Sequence, residues 1–455
     1  MAGATRSGAG RSATGAMRRI LIVGGGFAGA QTARSLVRHL PAGWEVVLVS
    51  EEASMCFSPM LPEVAGAAVF PEQVAAPLRQ LLAVGQAESR FILGRVSTVD
   101  LVARKICFSS LRGEEQIGYD HLVLALGTRA RLDLLPGMAQ HALPLKTVGD
   151  ALLLRNRVLE RLAEMELETQ PARRARLGRF LLIGGGFSGV EVAGALACFL
   201  RSAARFYPGV DQSLLQVQVV HDGDRLLPEL PAGLASAALR SLARRRVEVQ
   251  LGCRVKAIDT DGAVTVDGDR LSAGTLIATI GTRPNGLIES LGLPLDRGRL
   301  VVGPDLRVAG ASELWAVGDC ACVPNAHDGR PSPPTAQFAV RQGKLLAGDL
   351  LSAIAGRPTR AFRYRPRGAL AVVGHRDGVA DILGVSLTGL PAWLAWRAWY
   401  LAQMPTFGRR LRILVEWTWS MAFPLDITHL RFRRSAEQQA EDGPQADSDP
   451  VSLVA

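Results

Sequence analysis

Short apolar runs, each cut off by glycine, organise this chain. Ile20-Leu21-Ile22-Val23 runs into Gly24-Gly25-Gly26-Phe27-Ala28-Gly29, and Phe180-Leu181-Leu182-Ile183 runs into Gly184-Gly185-Gly186-Phe187-Ser188-Gly189. A brief uncharged apolar run closed by a glycine turn predicts a strand buried on both faces, followed here by the start of a helix. Ala33 and Ala193 stand at the same offset in the two following segments, where a small side chain lets helix pack close on strand. Leu122 through Gly127-Thr128 is echoed by Leu276 through Gly281-Thr282, which points to two related folding units.

The intervening patterns fill in both units. Glu45–Val49 alternates as a second strand, residues 91–118 predict short strands around a Gly113 turn, and 149–168 predicts a helix. In the second unit Gln216–Val220 is the matching strand and Ala232–Arg245 a helix, and the interval from Gly189 to that strand is lengthened by an insertion around Arg201–Ser213. Leu314-Trp315-Ala316-Val317 is a last strand that ends in Gly318-Asp319. Strands alternating with helices predict an α/β fold of parallel sheets, with ligands at the carboxyl ends of the strands.

The length of 455 residues allows two or three domains, and 48% hydrophobic residues allow a large core. Six cysteines form no C-x-x-C and no disulfide framework, which fits a reducing compartment; Cys320-Ala321-Cys322 reads as small residues in a turn. The net charge of +10 is concentrated at the ends. Arg6, Arg11, Arg18 and Arg19 precede the first strand with no acid. Arg397, Arg409, Arg410, Arg412, Arg431, Arg433 and Arg434 face only Glu416 and Asp426 in residues 389–435. No nucleic-acid motif accompanies this charge, and a membrane surface suits it better. The leader has no apolar centre, so it is not a secretory signal, and no uninterrupted transmembrane span is predicted; Ile382–Trp396 is too short.

The two glycine turns carry the chemistry. Each lets the backbone approach a pyrophosphate and offers it the free N–H groups of a helix N-terminus. Two dinucleotide sites in one chain imply electron transfer between them, most simply from NAD(P)H to FAD. No metal-ligand cluster is predicted. Glu51 lies 22 residues past Gly29, where such a fold places an acid on the adenosine ribose. In the second unit the strand ends at His221-Asp222, with Arg225 following. Asp222 favours the 2′-hydroxyl of NADH, and Arg225 keeps the 2′-phosphate of NADPH open.

On these motifs the chain resembles the two-dinucleotide-binding-domain flavoproteins. The resemblance implies two Rossmann-like domains, the FAD domain split around an inserted NAD(P)H domain, with Asp319 on the FAD ribityl chain. Three segments are similar to type II NADH:quinone oxidoreductases. These are Val49-Ser50-Glu51 through Phe57-Ser58-Pro59-Met60-Leu61-Pro62, Pro334 through Gly343, and the C-terminus. The expected division is an extension at 1–17, FAD-binding parts at 18–135 and 285–365, an NAD(P)H-binding part at 136–284, a membrane-associated region at 366–435 and an acidic disordered tail at 436–455.

The resemblance also assigns residues. FAD is expected on Gly24, Gly26, Phe27, Ala28, Gly29, Glu51, Gly127, Gly318 and Asp319, and NADH on Gly184, Gly186, Gly189, Asp222 and Gly281. Gln337 is the expected quinone residue, with Arg341 where the motif has its second Gln and Gln342 displaced by one. Glu191 is expected in the first turn of its helix, facing nicotinamide and flavin. Trp393, Trp396, Tyr400 and Met404 recur at helical spacing, with Ile413, Trp417 and Met421 as a second stripe; a core or dimer stripe gives the same spacing, but the resemblance favours a peripheral anchor on anionic lipid. The expected activity is non-pumping transfer from NADH through FAD to a membrane quinone, at the cytoplasmic face of the cell membrane, with room for a homodimer. Three other readings stay open: a sulfide:quinone oxidoreductase, a soluble ferredoxin or disulfide reductase, and a flavoprotein that senses nucleotide with little turnover. The first and the disulfide form of the second need paired cysteines that this chain does not show.

Overall fold

The computed structural model of the protein describes residues 17–430 apart from 312, 405 and 424. The expected extension up to residue 16, the acidic tail, and Arg431, Arg433 and Arg434 lie outside the described residues.

Both glycine-terminated runs form the central strand of a parallel sheet. In the first sheet the order is Leu314–Ala316, His121–Leu124, Arg18–Val23, Trp44–Ser50, Glu88–Asp100, all parallel. In the second it is Ala142–Pro144, Thr275–Ala278, Arg179–Ile183, Gln216–Val220, Val247–Gln250, again all parallel. From each central strand the chain first builds to one side and later returns to the other. That reversal opens a crevice at the carboxyl end of the central strand, where α/β sheets bind ligands. Ile20, Leu21 and Ile22 are fully buried, as are Leu182 and Ile277 in the second unit, as two-sided burial of a parallel sheet requires.

The echoed Gly127-Thr128 and Gly281-Thr282 mark the two places where the chain passes between the sheets. Thr128–Ala130 and Thr282–Pro284 pair there as antiparallel strands. Strand Glu88–Asp100 outruns its sheet and continues into an antiparallel meander with Lys105–Ser110 and Gly113–Gly118. Gly113 takes φ +102°, the left-handed conformation that the turn requires.

Small residues set the helix packing. A Cβ on Gly343, in helix Ala336–Ile354, would lie 2.5 Å from the Ala28 carbonyl oxygen of helix Phe27–Leu36. A Cβ on Gly194, in helix Phe187–Ala203, would lie 2.2 Å from the carbonyl oxygen of Val373, in strand Gly368–Gly374. That strand opens a three-stranded antiparallel sheet, completed by Asp377–Ile382 and Val385–Thr388. Helices Leu390–Gln403 and Phe407–Ala422 follow it.

Most of the C-terminal stripe positions fall on the inside. Trp393, Trp396, Met404, Ile413 and Trp417 are buried and Tyr400 partly buried, because the two helices fold back over the new sheet, whereas Met421 is exposed. The repeating aromatic spacing therefore marks a core face. The outward face carries Leu394, Phe407, Leu411, Leu414, Val415 and Trp419 instead. Glu416 is not on an open polar face either: its carboxylate accepts from the Phe70 N–H, and burial pushes it up to about 7. Among the described residues one helix is long and apolar enough to cross a membrane, Phe187–Phe206, and 67% of its apolar window is buried inside the protein.

Candidate functional site

The two glycine turns have nearly the same geometry. Gly24 has φ +108° and Gly184 φ +116°, a region that disfavours any side chain. A Cβ on Gly29 would sit 1.9 Å from the Gly24 carbonyl oxygen, and one on Gly189 1.9 Å from that of Gly184. Gly25 and Gly185 are hemmed in as well, by Leu78 with Ser50 and by Leu226 with His221. Gly26 and Gly186 differ from these. A Cβ there meets nothing within 4 Å, so each faces the open crevice. Both are the N-caps of their helices, no side chain caps either helix, and neither first turn holds an acid. The N–H groups of both turns are thus left for an anion, with the helix dipole favouring negative charge. Phe27 and Ala28 open the first helix; Ala28 is buried under Gly318, whose added Cβ would lie 2.9 Å from the Ala28 Cβ.

The first crevice has a second anchor. Gly318 takes φ +79° and turns the chain, and its N–H donates to Gln342 Oε1 at 3.0 Å. Gln342 is buried, so this displaced Gln braces the Gly318-Asp319 turn and does not line a crevice. The Asp319 carboxyl is half-buried and raised by burial, against the pull of Lys146, Arg299 and Thr128. Lys146 Nζ donates to Thr128 Oγ1 at 3.0 Å. Gly127, beside Thr128, has φ +61° and open space around it, whereas Gly281, φ +72°, lies against Leu134 and Arg131. At the end of strand Trp44–Ser50 the Glu51 carboxylate receives Arg129 at 2.6 Å. In the second unit Asp222 lies 3.5 Å from Arg254 and 3.5 Å from the His221 ring.

Glu191 departs from its expected place. It is the fifth residue of helix Phe187–Ala203, beyond the first turn, and its carboxylate faces the C-terminal region. Its Oε1 accepts from the Val372 N–H at 3.1 Å and from the Trp396 indole N–H at 3.3 Å. Burial pushes this carboxyl up to about 8. An aromatic series connects it to the first turn: Trp396 meets Tyr400, Tyr400 meets Phe57, and Phe57 meets Phe27, with centroids 4.6, 5.7 and 5.4 Å apart. Tyr400 is raised by burial and by Glu191.

Gln337, in the first turn of helix Ala336–Ile354, accepts through Oε1 from the Tyr364 hydroxyl at 3.1 Å. Arg341 lies over the Tyr364 ring at 4.3 Å and donates to the Gln337 carbonyl at 2.8 Å. With Arg360 and Arg363 it borders a surface pocket of about 200 Å³. Gln337 and Glu191 thus stand on different elements, joined to the first turn by different contacts. Residues 61–65 also hold a polar group that the motif reading passed over, the buried Glu63. Its signal was an acid inside the apolar run Leu61-Pro62-Glu63-Val64-Ala65-Gly66.

All six cysteines are free, and no group of His, Cys, Asp or Glu fit to hold a metal occurs among the described residues.

The paired crevices, each with a glycine turn at the switch point of a parallel sheet, define a two-dinucleotide oxidoreductase. The profile of the pyridine nucleotide–disulphide oxidoreductase family matches residues 18–343. Over 439 residues the chain is 30% identical to the type II NADH:quinone oxidoreductase Ndh of Mycobacterium tuberculosis, which covers 93% of this chain and 91% of the relative. It is 31% identical over 415 residues to the demethylphylloquinone reductase NdbB of Synechocystis sp., covering 89% and 96%. The chain belongs to the type II NADH:quinone oxidoreductase family. Its fold matches that of NDH2 from Plasmodium falciparum solved with NADH, at TM-score 0.84 and 18% identity over 90% of this chain and 100% of that one. The sulfide:quinone oxidoreductase of Aquifex aeolicus matches less well, at TM-score 0.64 and 18% identity over 87% and 92%.

Proposed function

We propose that the protein is an FAD-dependent NADH:quinone oxidoreductase, with FAD in the crevice of Gly24–Gly29 and NADH in that of Gly184–Gly189. The observation that carries the reading is the pair of uncapped helix N-termini at Gly26 and Gly186, each with room for a pyrophosphate. Bound FAD supplies the redox chemistry, taking a hydride from NADH and passing two electrons to the quinone.

The chain's own groups do the rest. The Gly26 turn takes the FAD pyrophosphate, Glu51 stands for its adenosine ribose, and the Asp319 carboxyl accepts from its ribityl hydroxyls. Lys146 and Arg299 oppose the rise that burial imposes on the Asp319 carboxyl. Gly127 leaves the adjoining floor open. The Gly186 turn takes the NADH pyrophosphate and Asp222 its 2′-hydroxyl. Gln337, fixed by Tyr364, lies on the quinone side. Its neighbour Arg341 adds a positive charge where the family motif has a neutral Gln. The buried Trp396 and the partly buried Tyr400 limit water between Glu191 and the first turn.

The outward face of the C-terminal helices rests on a membrane, peripherally and from the cytoplasmic side. Phe407, Leu411, Leu414, Val415 and Trp419 would enter the headgroup boundary, and Arg412, which forms no ion pair among the described residues, would meet anionic lipid.

Anaerobic titration of the purified protein tests the reading. NADH is expected to bleach a yellow protein, and a quinone analogue to restore the colour. A protein that holds no flavin after reconstitution, or that NADH leaves yellow, would overturn it. A protein that bleaches but reoxidises negligibly with quinone would mark a sensor of nucleotide state.

A further inference from the structure

Residues 357–367 carry five arginines, Arg357, Arg360, Arg363, Arg365 and Arg367, and no acid. The segment connects helix Ala336–Ile354 to strand Gly368–Gly374 and belongs to neither a helix nor a sheet. Its side chains alternate as in an extended chain: Phe362 is buried and Tyr364 half-buried, whereas Arg363 and Arg365 are exposed. The inward pair packs on the helix through Phe338, with ring centroids 6.3 and 5.0 Å away.

Buried polar groups fix this arginine-bearing segment in place. The buried Asn325 holds the main chain of Tyr364 from both sides: its Nδ2 donates to the Tyr364 carbonyl at 2.8 Å, and its Oδ1 accepts from the Tyr364 N–H at 2.9 Å. The Phe362 N–H donates to the Pro304 carbonyl at 2.8 Å. Asp349, fully buried on the helix, accepts from the Arg360 N–H at 3.3 Å and from its Nε at 3.2 Å. Gly348 leaves room for that guanidinium, since a Cβ there would lie 2.6 Å from Arg360 Nη2.

Between the segment and the helix lies the surface pocket of about 200 Å³, whose walls include Arg341, Leu345, Arg360, Phe362, Arg363 and Tyr364. None of these residues belongs to either glycine turn. The positive charge around it is only partly balanced. Arg360 shares its charge with Asp349, and Asp305, next along the segment, is bound by Thr359 and Arg307. Arg341 and Arg363 form no ion pair among the described residues. Arg341 is half-buried all the same, with its guanidinium over the Tyr364 ring at 4.3 Å and bonded to the Gln337 carbonyl. Burial works against its charge, and so does Arg367. A ring face and a carbonyl stabilise a partly desolvated cation without neutralising it.

We propose that this pocket binds a phosphate monoester carried on an apolar body. Two unpaired guanidinium groups match the charge of about −1.5 to −2 that such a phosphate carries near pH 7. Their planar forks can each grip two of its oxygens, and Leu345, Phe362 and the Tyr364 ring take the apolar part. A carboxylate, with a single charge, would leave one of the two cations unbalanced. The hold of Asn325 and Asp349 on the segment means that little order has to be created on binding. A lipid phosphate headgroup and a free phosphate ester share this chemistry, and the test separates them. The site stands independently of the redox function proposed above.

The test uses full-length protein, with bound flavin per chain as the control on folding. In calorimetric titrations phenyl phosphate is expected to bind about tenfold or more tightly than inorganic phosphate, and phenol not to saturate. Arg341→Gln and Arg363→Ala are each expected to weaken phenyl phosphate about tenfold; Arg363 is exposed, so its loss leaves the packing untouched. Gly186→Val, which fills the second crevice, is expected to leave that affinity unchanged. The source is read by co-sedimentation with phosphatidylcholine vesicles, with and without phosphatidate. A gain from phosphatidate that the Arg341→Gln, Arg363→Ala double variant loses would assign the site to a lipid headgroup. An equal gain in both proteins, beside intact phenyl phosphate binding in the wild type, would assign it to a free ester. A wild type that does not bind phenyl phosphate, or an affinity that both arginine variants leave unchanged or that Gly186→Val removes, would overturn the site.

Discussion

The two glycine turns agree to within a few degrees at their helix N-caps and differ in what closes the crevice beside them. Gly26 sits at φ −72°, ψ −170° and Gly186 at φ −74°, ψ −171°, each opening an uncapped helix. Next to the first turn, the edge strand Leu314–Ala316 runs into Gly318-Asp319, and Gln342 locks that turn from behind. The matching edge strand of the second sheet, Ala142–Pro144, presents no acid to its own crevice. The chain beyond it carries Lys146 across to Thr128 and Asp319, into the first site. The second unit thus gives its edge residue to the first. One crevice has a glycine turn and a polar lock, as a resident cofactor needs; the other has the turn without such a lock, as an exchangeable cosubstrate needs.

The sharpest way to break this comparison is a matched pair of substitutions. Neither Gly26 nor Gly186 has positive φ or a neighbour within reach of an added Cβ, so valine there leaves the fold in place and fills only the ligand's space. Gly26→Val is expected to give a folded, colourless protein, read as flavin per chain after reconstitution. Gly186→Val is expected to stay yellow and to raise the KM for NADH on the order of a hundredfold, roughly 3 kcal/mol. A colourless Gly186→Val protein, or a yellow Gly26→Val one, would reverse the assignment of the two crevices.

The lock is the next element to remove. Asp319→Ala is expected to weaken FAD by about ten- to a hundredfold, the cost of roughly 1.5–3 kcal/mol for a hydrogen bond to a charged group, measured as flavin release on dilution. Flavin retention equal to wild type would leave the glycine turn as sufficient anchor. A smaller effect belongs to Asp222, which is exposed and shares its charge with Arg254. Asp222→Ala is expected to raise the KM for NADH about fivefold, near 1 kcal/mol, and to free Arg254 for a 2′-phosphate. The ratio of NADPH to NADH activity should then rise; a constant ratio would separate Asp222 from nucleotide choice.

The glycine turns were legible because much of their geometry is local. Gly24 needs its positive φ and Gly29 its close approach to the Gly24 carbonyl for reasons found within six residues, and the run before them must be apolar because both faces of the sheet are covered. The position of Asp319 was legible for the same reason, in the turn that follows its own strand. Glu191 was not, because helix position alone leaves open which neighbours a carboxylate meets. The partners that fix it, Val372 and Trp396, lie 181 and 205 residues away. The tryptophan stripe misled in the same manner. Spacing shows that Trp393, Trp396 and Trp417 share faces of helices, but whether such a face meets lipid or protein is decided by the sheet at Gly368–Thr388, which pairs with no earlier strand. Glu63 looked like one polar residue in an apolar run and gains meaning only beside Arg397, more than three hundred residues on.

Glu191 supplies the mildest test, because at neutral pH its substitution should change little. Burial holds its carboxyl up to about 8 in the folded protein, against an ordinary value of 4.5. Between those values the unfolded chain has lost the proton and the folded one keeps it, so the folded state binds more protons and stability falls as pH rises. The contribution is complete below about pH 4.5, is lost progressively up to about pH 8, and is flat beyond. Glu191→Gln keeps a neutral acceptor for Val372 and Trp396 and removes the titration. Its melting temperature is expected to lie near wild type at pH 5 and to decline less steeply toward pH 8. Some slope will remain, since Glu416 at about 7 and the raised Glu63 titrate in the same direction. A variant with the full wild-type slope would show that the Glu191 carboxyl is not raised in the folded protein.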